Sequence, residues 1–213
     1  MKKITLSIMA VMAISSYGFA GGDIVPAPVI MDEVDNSSFY IGAGLVYNRT
    51  YCDNSSWFDK ETRGQDQTAG LGLVIGYNFN QYIAVEGRYT TSFFDEDYAE
   101  TSTYSLFVKP QYPATEEFKI YALLGFGGVN VDATSDTTGD FRAANPGVNL
   151  VDETGFQWGL GASYAVTEEV EIFLDYTSLL NGADINTRLY NWDSKFYKEL
   201  NVDAVTLGVI YKF

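Results

Sequence analysis

The feature that most constrains this chain is an apolar period of two residues that recurs in eight separate segments. In the first, Phe39, Ile41, Ala43, Leu45 and Tyr47 alternate with Tyr40, Gly42, Gly44, Val46 and Asn48. In the second, Ala69, Leu71, Leu73, Ile75 and Tyr77 alternate with Gly70, Gly72, Val74, Gly76 and Asn78. Successive side chains of a strand point to opposite faces, so each segment reads as a strand with one bulky apolar face and one small or polar face. Each runs for about the 9 to 11 residues that a tilted strand needs to cross a bilayer.

Later segments put their ionisable residues on the second face. Ile83, Val85 and Tyr89 oppose Glu86, Arg88 and Thr90, and Tyr104, Leu106, Val108 and Tyr112 oppose Ser105, Lys109 and Gln111. Phe156, Trp158, Leu160, Ala162 and Tyr164 oppose Gln157, Gly159, Gly161 and Ser163, while Ile172, Leu174 and Tyr176 oppose Glu171, Phe173 and Asp175. The last is the clearest, with Val205, Leu207, Val209, Tyr211 and Phe213 against Thr206, Gly208 and Lys212. Segment five, 118–131, is ambiguous by period. Ala122, Leu124 and Phe126 are assigned outward because that turns Gly125 and Gly127 into a crowded interior.

A soluble sandwich also alternates, and two features decide against it. The connections 52–67, 92–102, 132–153 and 179–200 are long while 78–81, 113–117 and 166–169 are short. Membrane barrels pair short periplasmic turns with long external loops. Aromatic residues also gather at the ends of the apolar faces, where amphipathic rings meet lipid headgroups. An unpaired amide costs several kcal/mol in hydrocarbon, so such strands must close on themselves. The expected fold is all-β: an eight-stranded antiparallel up-and-down transmembrane β-barrel over residues 38–213.

The N-terminal residues give an address. Lys2 and Lys3 precede an uncharged run, Ile4 to Phe19, that ends at Gly18-Phe19-Ala20, the pattern of a cleaved signal peptide over 1–20. Residues 21–37 carry Pro26, Pro28 and four acids and read as a periplasmic linker. No later stretch is long and apolar enough to cross a membrane as a helix. Losing the two lysines takes the formal charge from −15 to −17, which argues against nucleic acid. Cys52, the only cysteine, excludes an internal disulfide. With no histidine, the Ser-His and Cys-His pairs and the commonest metal ligand are absent, and no catalytic, cofactor or metal residue is assigned.

FYIGAGLVYN at the first strand, GLVIGYNFNQYIAVEGRY across the first short turn and VTLGVIYKF at the end resemble the small outer-membrane barrels of OmpA, OmpX and opacity-protein type. The likeness covers residues 38–213 and implies a porin-like barrel in the outer membrane of a Gram-negative bacterium, among lipid and lipopolysaccharide. It further implies that Val205, Leu207, Val209, Tyr211 and Phe213 form the signal read by the barrel assembly machinery. The chain departs from the full-length OmpA pattern in stopping at Phe213, so no peptidoglycan-binding role is carried over.

By analogy with this family's plugged interiors, Glu86, Arg88, Lys109, Glu171, Asp175 and Lys212 form a polar network in the lumen. Buried charges are costly unless paired, which is why the set has mixed sign. The acids Asp95-Glu96-Asp97 with Glu100, and Asp132, Asp136, Asp140, Asp152 and Glu153, suggest divalent cations at the loops, although their spacing matches no ordered calcium loop. In the last long loop, Arg188, Tyr190, Trp192, Phe196 and Tyr197 either meet host or envelope ligands or fold back on the rim. The leading expectation is a non-enzymatic protein with a structural envelope or adhesion-like surface role. The alternatives are a narrow cation-preferring passive channel and, remotely, a lipid-modifying barrel enzyme.

Overall fold

A computed structural model describes residues 38–52, 65–95, 99–133, 149–184 and 199–213. Residues 1–37, with the signal peptide and linker, lie outside the described residues, as does the loop containing Arg188, Tyr190, Trp192, Phe196 and Tyr197. The strands are β1 (Ser38–Cys52), β2 (Gln65–Asn80), β3 (Ile83–Asp95), β4 (Ala99–Pro113), β5 (Phe118–Ala133), β6 (Asn149–Ala165), β7 (Val170–Asp184) and β8 (Glu199–Lys212). Each pairs antiparallel with its neighbours in sequence, and β8 returns to β1, so the eight-stranded closed barrel is borne out.

Closure is visible at the β1–β8 seam, where Ile41 faces Tyr211, Ala43 faces Val209 and Leu45 faces Leu207. One further rung, from the Phe213 amide to the Phe39 carbonyl at 2.9 Å, secures the end of the ring. The outward row Val205, Leu207, Val209, Tyr211 and Phe213 reads as the period predicts, with Phe213 exposed and its ring 6.1 Å from that of Phe39.

Outward residues such as Leu45, Leu73, Leu106 and Leu160 are about three-fifths exposed. A continuous apolar belt of this kind is stable only against hydrocarbon. From Phe39 to Tyr47 the chain rises roughly 26 Å at ~3.3 Å per residue, or about 20 Å along the normal at a tilt near 40°. Segment five follows the glycine argument: Leu124 and Phe126 are exposed.

Two of the three short turns use one device. Thr115 Oγ1 accepts from the amides of Glu117 and Phe118 at 3.3 and 2.9 Å, and Thr167 Oγ1 accepts from those of Glu169 and Val170 at 3.3 and 3.0 Å. A Thr-Glu-Glu sequence thus bends the chain twice through a hydroxyl that mimics a backbone acceptor, leaving the glutamates in solvent. At the third, Asn80 Oδ1 does the same for Tyr82 and Ile83.

The structure corrects the strand lengths. Strands run 13 to 17 residues, and β5 continues to Ala133 while β6 begins at Asn149, inside the connection expected at 132–153. The ladder itself sustains this extension, because Val131↔Val151 and Asn130↔Asp152 still pair where the outward residues have become polar. A lipid-facing pattern cannot announce a strand that stands in water.

Glycines mark close approaches. A Cβ on Gly208 would lie 2.6 Å from the Ala43 carbonyl oxygen and 2.6 Å from the Phe173 ring, whereas one on Gly155 would meet nothing within 4 Å. Gly208→Val is therefore expected to destabilise the barrel by about 1–3 kcal/mol through overpacking, and Gly155→Ala by less than about 0.5 kcal/mol. Urea titration of the protein in lipid vesicles, followed by heat-dependent gel mobility, measures both.

Candidate functional site: the plugged lumen

Inward faces of five strands converge on one arginine. Arg88 of β3 gives Nε to Glu86 Oε1 at 2.6 Å and grips Asp175 of β7 with two nitrogens, Nη1 to Oδ1 at 2.9 Å and Nη2 to Oδ2 at 2.7 Å. Lys109 of β4 reaches Glu86 Oε2 at 2.8 Å. Tyr40 of β1 donates its hydroxyl to Glu86 Oε2 at 2.7 Å, and Tyr121 of β5 donates to Asp175 Oδ2 at 2.9 Å. Two acids and two bases cancel, and every carboxylate oxygen has a donor. That is the condition under which charge survives in a low-dielectric interior.

Aromatic rings complete the plug. Phe107 and Phe173 flank the Arg88 guanidinium at 5.8 and 5.6 Å, and Tyr121 lies 4.2 Å from the Lys109 ammonium. Ring faces carry negative potential, so they attract these cations while filling space that water would occupy. Tyr40, Glu86, Phe107 and Phe173 are each at most 2% exposed.

Below the plug, Glu171 Oε1 receives Lys119 Nζ at 2.7 Å and Lys212 Nζ at 3.0 Å. A void of about 10 Å³, lined by Tyr40, Lys109, Gln111, Glu171 and Lys212 among others, separates the two clusters and suits a single water. It lies beside a polar vestibule of about 550 Å³ at the end of the short turns, bordered by Asn78, Gln111, Lys119 and Lys212. Above the plug the wall is lined mostly by neutral polar groups, with a buried acid, Asp66. Thr90 and Thr103 share a hydrogen bond at 2.7 Å, whereas the buried side chains of Asn48, Thr50, Thr68, Thr101 and Gln157 have polar atoms without a partner among the described residues.

All six residues expected in the lumen point inward, divided between the plug and the Glu171 cluster. Lys119, Tyr40 and Tyr121 were missed. Their parity was available: Tyr40 falls between the outward Phe39 and Ile41, and outward Ala122 and Leu124 put Lys119 and Tyr121 inside. Tyrosine was read only as a girdle residue, although its hydroxyl suits a buried carboxylate as well as a headgroup.

Outside the belt, the residues in outward register become polar at Asn130, Asp132 and Asp152, and at Asp203, which is itself buried. Ser178 Oγ donates to Asp203 at 3.2 Å, and Arg49 stacks 4.0 Å from the Tyr51 ring. Asp132 accepts from the side-chain amide nitrogens of Asn130 at 2.8 Å and Asn149 at 3.0 Å. Asp136 and Asp140 lie outside the described residues, and among those described no three acids, cysteines or histidines gather for a metal.

Removing one partner of a buried charge network leaves the rest uncompensated. Arg88→Ala is expected to lower the unfolding free energy by about 3–5 kcal/mol. Lys109→Met should cost less, because Glu86 retains Arg88 and Tyr40. Arg88→Lys keeps the charge but loses the two-pronged grip on Asp175, and falls between them. Urea unfolding in vesicles ranks the three.

The family model for the outer membrane protein beta-barrel domain matches residues 8–213. Among solved structures, Ail, the attachment invasion locus protein of Yersinia pestis, in complex with the heparin analogue sucrose octasulfate, is 18% identical with a TM-score of 0.53, over 83% of this chain and 99% of that one. Neisserial surface protein A is 15% identical with a TM-score of 0.59 over the same shares. The N-terminal barrel domain of Pseudomonas aeruginosa OprF is 16% identical with a TM-score of 0.51, over 84% and 98%. No curated protein matches. A family match along nearly the whole sequence joins a closed barrel girdled by apolar residues: the chain belongs to the outer membrane protein β-barrel domain family and resides in the outer membrane of a Gram-negative bacterium.

Proposed function

We propose that this protein is a non-enzymatic envelope scaffold: a plugged barrel that carries surface contacts on its external strand ends and loops. The closed lumen carries this reading. A passive cation path would have to cross Arg88, Glu86, Lys109 and Asp175 while they are bonded to one another and packed between Phe107 and Phe173. Separating them would expose buried charge at a cost of several kcal/mol. The absence of histidine supports the non-enzymatic reading, since the commonest general base is missing.

In this proposal the contacts come from the loop holding Arg188, Tyr190, Trp192, Phe196 and Tyr197, together with the extended ends of β5 and β6. Lipopolysaccharide is the immediate neighbour. Val205, Leu207, Val209, Tyr211 and Phe213 serve as the assembly signal, and residues 1–20 and 21–37 as signal peptide and linker. Ail was solved with a polysulfated heparin analogue. The net charge of −15 and the exposed Asp152 and Glu153 disfavour so anionic a ligand for this chain.

Planar bilayers test the proposal first. The refolded protein is expected to be silent, and a stable cation-selective conductance would overturn the scaffold reading in favour of a channel. A deletion strain is expected to gain detergent sensitivity or lose surface attachment. Replacing residues 188–197 by a short Gly-Ser loop should restore barrel insertion without restoring attachment.

A further inference from the structure

The two ends of the barrel are built differently. At the external end β5 and β6 pair up to Val131↔Val151 and Asp132↔Asn149, but the β6–β7 ladder ends at Trp158↔Ser178. Above that rung β7 pairs only with β8, among the described residues, through register shifts at Ser178/Leu180 and Leu180/Ala183 and past the left-handed Gly182, with φ of 70°. At the end of the short turns the ring stays zipped to its rim, through Tyr40↔Lys212, Pro113↔Lys119, Ala165↔Glu171 and Val170↔Tyr211. Backbone bonds also tie turns to wall there, from the Gln111 amide to the Tyr82 carbonyl at 2.8 Å and from the Lys212 amide to the Glu169 carbonyl at 2.7 Å. The vestibule of about 550 Å³ at this end therefore has fixed walls. The packed plug above makes it a blind cavity, which a ligand enters and leaves by the same mouth.

Its charges are sorted by depth. On the inner wall Lys119 and Lys212 share one carboxylate oxygen of Glu171, so two ammonium groups meet one carboxylate and a positive charge is left over. Both lysines line the vestibule, with side chains 19% and 20% exposed. At the rim the sign reverses. The two Thr-Glu-Glu turns put Glu116, Glu168 and Glu169 on the border, all exposed and none in an ion pair among the described residues. The wall also carries spare amide groups: among the described residues Gln81 makes no side-chain hydrogen bond, and Gln111 uses its Nε2 but not its Oε1. A simple anion that reaches the lysines is repelled at the rim, and a simple cation that the rim attracts is repelled inside. A dipolar ligand matches both levels.

We propose that the vestibule binds a short peptide with free ends, its carboxylate inward on Lys119 and Lys212 and its ammonium outward among Glu116, Glu168 and Glu169. Each lysine ammonium has three donors and gives one to Glu171, so donors remain for the ligand's carboxylate. Gln81 and Gln111 suit the peptide groups between the ends, because a side-chain amide offers the donor and the acceptor that a peptide bond requires. The volume falls within the roughly 300–1,000 Å³ of small-ligand pockets, and an extended tripeptide spans about 10 Å. Walls fixed by closed ladders and bonded turns spare the ordering cost of binding. The site lies at the opposite end of the barrel from the external loops, so it stands apart from the surface-contact reading.

Trialanine is the probe, titrated by calorimetry into the full chain in lipid nanodiscs. Acetylating its amino end or amidating its carboxyl end is expected to weaken binding at least tenfold in each case. Inorganic phosphate, an anion alone, and spermidine, a cation alone, should both bind more weakly than trialanine. The side-chain amide signals of Gln81 and Gln111 should shift in NMR spectra as the peptide is added. Lys119→Gln leaves Glu171 paired one to one with Lys212, so gel mobility should hold while affinity falls at least tenfold and amidation ceases to matter. Glu116→Gln with Glu168→Gln and Glu169→Gln, all in solvent, should remove the effect of acetylation. Should Lys119→Gln misfold, this rim variant and the blocked peptides decide alone. Equal binding of free and blocked peptides, phosphate or spermidine bound as tightly as trialanine, unmoved glutamine signals or no binding would each overturn the proposal.

Discussion

Hydrocarbon offers a backbone amide nothing to bond to, and the architecture follows from that single deficiency. Strands can cross only if each is paired on both sides, so the sheet must close. Closure separates an outside that meets lipid from an inside that meets only other side chains. The alternation of Leu45 with Val46, or of Leu207 with Gly208, is the local form of that separation. The terminal bond from Phe213 to Phe39 sits where the ring would otherwise fray.

A closed ring of eight strands leaves a narrow axis, and its contents must be neutral in sum and satisfied in detail. Arg88 meets this demand from the centre because its planar fork gives Nε to Glu86 and both terminal nitrogens to Asp175, a fixed three-bond grip that a lysine's single ammonium cannot reproduce. Glycines make the space. Gly76 lies against the Tyr40 ring and Gly161 against Tyr121, so the two tyrosines that finish the carboxylates can lie flat on the wall. The plug is thus assembled as much by absent side chains as by present ones.

Much of this was legible in the sequence because a bilayer imposes a binary pattern on every strand. The inward placement of Glu86, Arg88, Lys109, Asp175, Glu171 and Lys212 required only parity. Their pairing did not follow, since parity gives the face of a strand and not the shear that sets which residues share a level. Tyr40, Tyr121 and Lys119 escaped for a related reason: two of them are tyrosines, which a membrane reading assigns to the girdle, and the third begins the one segment with a doubtful phase. The strand ends above the belt were illegible. Asn130, Asp132, Asp152 and Thr154 carry the polarity of a loop, and only the ladder between β5 and β6 holds them as strand.

The split between β6 and β7 occurs at the level where the founding constraint lapses. Below Trp158 an open edge would cost several kcal/mol per residue pair; above it, water bonds the free amides and the edge is tolerated. Tolerance has its own hazard, because an open edge recruits other strands indiscriminately. β7 answers with bulges and a left-handed glycine, which spoil its edge as a template. β6 has an irregularity of its own at Leu150, between the Val131↔Val151 and Asp132↔Asn149 pairs, and adds charge, with Asp152 and Glu153 exposed on the same short stretch. Bulges spoil the spacing that a ladder needs and like charges repel a second copy of the same edge, so both sides of the gap are guarded where lipid no longer forbids an opening.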